Sequence, residues 1–167
     1  ILAESLTADG QVERAIRELR HGLDSHPTSS LLHLRLGLAL MGSSDYKAAT
    51  THLEAVLTHA DPTIDGSIMA DAEFGLALLF RQSGDGAQAE HFLRRALISN
   101  PHLAGALMFG IDIALAENDP VAARDRARRL ARLPDEVRPP LEVVMAQLPS
   151  LAAKKLAADA YHATRTK

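Results

Sequence analysis

The residues whose types could do chemistry are eight histidines and one arginine-rich stretch. His52 and His59 are seven apart and can share a helix face, and His21 and His26 can do so more loosely. A metal centre needs three or four ligands that converge, with carboxylates or water behind them. These spacings do not show that convergence, so solvated or partly packed histidines and no metal or other cofactor are expected. No Cys is present to supply a thiolate. The segment Gly84 to Gly86, "GDG", has no strand before it and is a turn between helices, not a phosphate loop. Neither H-E-x-x-H nor G-x-S-x-G occurs. The expectation is a protein that is not an enzyme.

The arginines stand in "RDRARRLARLPDEVR", which places Arg124, Arg126, Arg128, Arg129 and Arg132 on one helix. A basic face there, with Arg124, Arg128 and Arg132 as its candidate residues, could meet an acidic partner, a phosphate or a membrane surface. Asp125, Asp135 and Glu136 offset the charge, so an ordinary solvated helix face is the plainer reading. Nucleic-acid binding would want exposed aromatics among the basic residues, and this helix has none.

Helices must position all of these groups. Across 167 residues the chain leans on Ala, Leu and Arg, with four Phe, two Tyr and no Trp, which is a helical vocabulary. That length can bury a real core. The net charge of −3 makes no global case for nucleic acid or an anionic bilayer. No apolar run approaches the ~18 residues a spanning helix requires. A soluble chain is expected, with its compartment left open and the cytoplasm only slightly favoured. The first residue is Ile and a helix is expected from the outset, so the sequence reads as a fragment of a longer protein.

One pattern recurs along the chain. "ADGQVERAIRELRHGLDSHP" from Ala8, "SSDYKAATTHLEAVLTHADP" from Ser43, "GDGAQAEHFLRRALISNP" from Gly84 and "NDPVAARDRARRLARLPD" from Asn118 each open on turn residues. A small residue follows at Ala15, Ala49, Ala89 and Ala123, spaced by 34, 40 and 34 residues. Four residues later come Leu19, Leu53, Leu93 and Ala127, and three further Gly22, Val56, Ala96 and Leu130. Pro27, Pro62, Pro101 and Pro134 close the copies. Between them lie "SSLLHLRLGLALMG", "ADAEFGLALLFRQSG" and "AGALMFGIDIALAEN", with "ILAESLTADG" supplying the last two turns of such a helix at the start. Each unit therefore reads helix, short turn, helix.

This pattern resembles the tetratricopeptide repeat, whose signature runs Trp, two residues, Leu-Gly, two residues, Tyr, then Ala, three residues, Phe, and finally Pro. The second unit answers with His33, Leu36-Gly37, Leu40, Ala49 and Leu53, the third with Glu73, Leu76-Ala77, Phe80, Ala89, Leu93 and Pro101. The Trp position is not aromatic in either. The fourth unit puts Gly110 and Ile111 where Leu and a small residue belong. The match covers about four-fifths of the chain, with units near 1–29, 30–63, 70–103 and 104–135. It implies an all-α, right-handed α-solenoid of tetratricopeptide-like repeats, with 136–167 as a pair of capping helices, the last N-capped by Ser150. About six extra residues around Asp61 to Ser67 are expected as a longer surface loop.

The resemblance also implies where a ligand would lie. In the family the first helices of successive units line a concave groove. Carried over residue by residue, the groove takes Leu31, Leu34, Arg35, Leu38 and Met41 from the second unit. Asp71, Phe74, Leu78, Arg81 and Gln82 come from the third, and Met108 with Asp112 from the fourth. Leu34, Phe74 and Met108 would form one row and Leu38 with Leu78 another. Leucines at helical spacing are more often core, yet those of "LLHLRLGLALM" cover almost every side of their helix and cannot all face one neighbour. An apolar groove disfavours the acidic chaperone tails that other family members clamp with basic residues. The expected function is non-enzymatic binding of an apolar protein or peptide segment, without nucleic acid or membrane insertion. The alternatives are a recruiting or regulatory region of a larger enzyme and a homo-oligomerisation module.

Overall fold

The computed structural model describes residues 11–61 and 65–165. The helix expected within Ile1–Gly10 and the exit at Pro62 lie outside them. The described residues form helices without strands: α1 (Val12–Ser25), α2 (Ser30–Gly42), α3 (Tyr46–His59), α4 (Gly66–Gln82) and α5 (Gly86–Ser99) come first. α6 (Ala104–Ala116), α7 (Pro120–Ala131), α8 (Leu141–Gln147) and α9 (Leu151–Arg165) follow. Two compact units result, the first ending at Ser99 and the second beginning at Asn100. The fourth hairpin thus groups with the C-terminal helices, and not with the hairpins before it.

The same turn is built three times, and its chemistry is local. Ser44, Gly84 and Asn118 take positive φ values of 63°, 86° and 58°. The following aspartate amide closes each helix by donating back to it: Asp45 to Leu40 O, Asp85 to Phe80 O and Asp119 to Ala114 O, at 3.0, 2.9 and 2.7 Å. This bonding is that of the helix-ending motif in which a left-handed residue reverses the chain. Each aspartate then starts the next helix. Asp45 Oδ1 accepts from Ala48 N, Asp85 Oδ1 from Gln88 N, and Asp119 Oδ1 from Val121 N and Ala122 N. One residue pair therefore stops a helix and caps its successor. Ser150 does cap α9, accepting from Ala153 N at 3.1 Å.

In the first unit α2 pairs with α3 and α4 with α5, while α1 packs on α2 and α3 on α4. The repeated positions go inside, with Gly22 only partly buried: Ala15, Leu19, Ala49, Leu53, Val56, Ala89, Leu93 and Ala96 are buried. Leu53 is the wedge. A Cβ on Gly37 would stand 2.7 Å from its Cδ2, and one on Gly75 2.9 Å from its Cδ1. Neither α2 nor α4 could approach α3 so closely with a side chain at these points, because such contacts are repulsive. Leu36, Leu40, Leu76 and Ile16 complete this core.

Where the signature carries Trp, α2 and α4 hold polar side chains, and each finds partners on the helix that follows. Glu73, 1% exposed, pairs with Arg95 Nη2 at 2.8 Å and accepts from Ser99 Oγ at 2.9 Å. Arg95 also lies 5.6 Å over the Phe92 ring, which stacks on Phe80 with centroids 5.4 Å apart. His33 is met by His52 and His59 of α3.

The insertion before the third unit is partly helix and not wholly loop. α4 starts at Gly66, inside the segment expected to be irregular. Asp65 supports this start: its carboxylate accepts from Asp61 N at 3.1 Å, and its carbonyl accepts from Met69 N at 2.8 Å.

In the second unit α6 pairs with α7, and α9 packs on α7 and α8. Leu107, Ile111, Ile113, Leu130, Leu133, Val144 and Leu148 are buried. In the fourth unit the small and large residues of the equivalent pair are exchanged. Sixteen residues separate Gly37 from Leu53, Ala77 from Leu93 and Ile111 from Ala127. The first two pairs put the small residue on the first helix, and the third puts it on the second. Ile111 and Ala127 are 0% and 1% exposed, so the swapped pair is as buried as the others. The buried Arg126 donates to Gly110 O at 2.6 Å, where no side chain shields the carbonyl. Further on, Tyr161 donates its hydroxyl to Pro139 O at 2.8 Å, joining α9 to the prolines before α8.

Candidate protein-binding face

The candidate face of the first unit is carried by α2 and α4, which touch through Gly75. Leu31 and Leu38 are 47% and 40% exposed, unusual values for leucines in a helix whose other sides are packed. Arg35 lies between them and is also exposed. On α4, Phe74 and Leu78 are partly buried, Asp71 likewise, and Arg81 and Gln82 are exposed at the C-terminal end. Met41 is partly buried, with its sulfur 3.7 Å from where a Cβ on Gly75 would be.

Leu34 falls elsewhere. It is 4% exposed and belongs to the core cluster with Leu36, Leu40 and Leu53, so it cannot offer a surface to a partner. By spacing Leu34 shares a side of α2 with Leu31 and Leu38, so its burial comes from the core residues packed against it and not from the helical angle. In the second unit Met108, also expected in the groove, is instead buried in the core at 9% exposure, and Asp112 is partly buried. Of the apolar residues expected in the groove of the first unit, those left open are therefore Leu31 and Leu38 of α2 and, in part, Met41 of α2 with Phe74 and Leu78 of α4.

The polar groups of this face are tuned by one another. Burial pushes the Asp71 carboxyl above its usual value, and the positive charge of Arg35 pulls it back. The influence of Arg35 on Asp71 links α2 to α4 across the face. At its end, the Tyr46 hydroxyl donates to Ser44 Oγ at 3.3 Å. Hydrogen bonds that Ser44, and then Gln82, can donate to the phenolate hold the phenol below its usual value.

Two other groups deserve placing. His33, His52 and His59 come together on α2 and α3, although only the latter two were paired by spacing. His33 lies 19 residues before His52, and no local periodicity joins them. Among the described residues no group of three or more His, Asp or Glu is arranged to hold a metal ion. Arg124, Arg128 and Arg132 are exposed and line one cleft of the second unit with residues of α9. Arg126 faces inward instead, and Arg138 bonds Ala131 O and the Asp135 carboxylate. Among the described residues no helix is long and apolar enough to cross a membrane.

No protein-family model matches the chain, and no curated protein matches it by sequence. Among solved structures, the crystal structure of MamA aligns with a TM-score of 0.67 at 15% identity, covering 99% of this chain and 94% of that one. A structure from the functional characterization of Pseudomonas aeruginosa pilF covers the same shares at 16% identity. Its TM-score of 0.41 is too low to support an argument. At such identity the likeness to MamA, a tetratricopeptide-repeat protein, speaks for the fold alone. The chain has an all-α, tetratricopeptide-like fold of helical repeats, in the α-solenoid class.

Proposed function

We propose that this chain is a non-enzymatic protein-binding module whose first unit docks an apolar segment of a partner on the α2–α4 face. The observation that carries this reading is the exposure of Leu31 and Leu38 beside the partly open Phe74 and Leu78. Neighbouring exposed apolar side chains rimmed by charge mark contact surfaces more often than solvent-facing ones. Affinity would come from covering these four side chains, and orientation from Arg35, Asp71, Arg81 and Gln82 at the rim. The segment could lie as a helix or as an extended strand.

The test is a selection of short displayed peptides on the full chain, followed by calorimetric titration of the winners. Each winner is then titrated against the Leu38→Glu, Leu78→Glu double variant after circular dichroism shows unchanged helicity. Binding should fall by at least about tenfold, the effect of losing ~1.4 kcal/mol. Unchanged affinity would move the site off this face. Sedimentation at two concentrations checks the competing possibility that a second copy of the chain covers it.

A further inference from the structure

The row Arg124, Arg128 and Arg132 forms one wall of a cleft of about 470 Å³ within the second unit, and Leu156, Ala160 and Asp159 of α9 form the other. All three arginines are exposed, and among the described residues none of their guanidinium groups has an ion-pair or hydrogen-bond partner. They recur every four residues, so along α7 they step by about 6 Å and span about 12 Å. Leu156 and Ala160 supply the apolar part of that second wall, and the lining carries three positive charges against one negative.

We infer that this cleft is a second docking site, for an acidic helical segment of a protein partner. The spacing argues for it first. Three arginines whose Cα positions span about 12 Å match anions repeated along a chain better than they match one phosphate. Carboxylates at i, i+4 and i+8 of a helix repeat with the same rise of about 6 Å, and each can take a guanidinium fork. The shape argues second. A concave cleft suits a ridge of side chains, whereas a flat anionic bilayer would meet its rim and the Asp159 carboxylate. The lining has no aromatic side chain on which a nucleic-acid base could stack. Finally, apolar side chains of the same segment can rest on Leu156 and Ala160, which a bare polyanion cannot use. This site stands on the second unit alone and does not depend on the α2–α4 face.

The experiment uses the full chain and fluorescence anisotropy. The probe is a labelled helix-forming peptide with Glu at i, i+4 and i+8 and Leu at i+1 and i+5. A second peptide has the same composition with the glutamates off that spacing. Inorganic phosphate, an oligothymidine and phosphatidylserine vesicles are the competing probes. The spaced peptide should bind saturably, more weakly at high salt, and about tenfold better than its permuted partner. Arg128→Glu should weaken it about tenfold, while Arg94→Glu, an equal charge change outside the cleft, should not. The Arg124→Gln, Arg132→Gln variant decides the matter if Arg128→Glu loses helicity. No saturable binding, equal binding of the two peptides, or equal loss with Arg94→Glu would overturn the inference. So would Arg-dependent binding of phosphate, oligothymidine or vesicles with the spaced peptide ignored.

Discussion

His33 Nδ1 lies 3.0 Å from Nδ1 of His52, across the α2–α3 hairpin, while Nε2 of His33 donates to Pro27 O at 3.0 Å. A carbonyl can only accept, so His33 carries its proton on Nε2 when neutral, and its Nδ1 then accepts from His52. One added proton can be shared by reversing that bond. Two cannot, because both Nδ1 atoms would then be donors facing each other.

The pair makes stability depend on pH near neutrality. Burial, then the nearby His33 and the positive charge of Arg20, hold His52 below its usual value of about 6.5. The unfolded chain therefore takes up the His52 proton at a higher pH than the folded one does. Stability should fall as pH drops below about 6.5, until the folded-state value is passed. Thermal melts between pH 7.5 and roughly pH 5 should show a smaller decline for His52→Gln than for the native chain. Parallel declines would remove His52 from the account.

Glu73 and Arg95 should be worth more together than apart. Arg95→Met leaves the carboxylate of Glu73, 1% exposed in the native chain, with Ser99 as its remaining partner, and should cost about 2 kcal/mol. Replacing both by Met removes the buried charge with its partner and should cost far less. Urea unfolding of the two single variants and the double variant reads the coupling directly.

The exchanged volumes at Ile111 and Ala127 predict a rescue. Ala127→Leu alone should overpack the second unit, at a cost of about 1–3 kcal/mol. Ile111→Ala alone should leave a cavity, at a cost of about 2–4 kcal/mol. The double variant restores the arrangement of the preceding hairpins and should recover at least about 1 kcal/mol relative to the sum. Strict additivity in chemical unfolding would show that the two side chains do not share one space.

The repeated turn should respond in opposite directions at equivalent positions. Ser44, at φ 63°, is a non-glycine residue in the left-handed region, so Ser44→Gly should stabilise by about 0.5 kcal/mol. Gly84→Ala should destabilise by about 1 kcal/mol. Nothing lies within 4 Å of a Cβ at Gly84, so that cost would come from the backbone alone. Melting temperatures of the two variants suffice.

Much of the fold is local and was legible. Small residues at Ala15, Ala49, Ala89 and Ala123 with their partners at four and seven residues define which face of each helix turns inward, because a helix repeats every 3.6 residues. Turn residues at Ser44-Asp45, Gly84-Asp85 and Asn118-Asp119 mark where the chain reverses, because only certain residues accept the left-handed conformation and only certain ones cap. The candidate face was legible only in part. Arg35, Leu38 and Leu31 emerge at the surface, but "LLHLRLGLALM" is apolar on nearly every side, so nothing in it tells Leu34 from Leu38.

What the sequence by itself determined is the repeat, the helical hairpin within it and the turn residues between the paired helices at Ser44-Asp45, Gly84-Asp85 and Asn118-Asp119. These follow from periods and propensities that act over a few residues. Tertiary structure alone decided that Leu34 is core while Leu38 is surface, that Gly66 begins a helix, and that His33 meets His52. It also decided that three arginines line a cleft with α9. Each of these depends on which neighbour occupies a given side of a helix, and contacts between residues far apart in the chain leave no period to read.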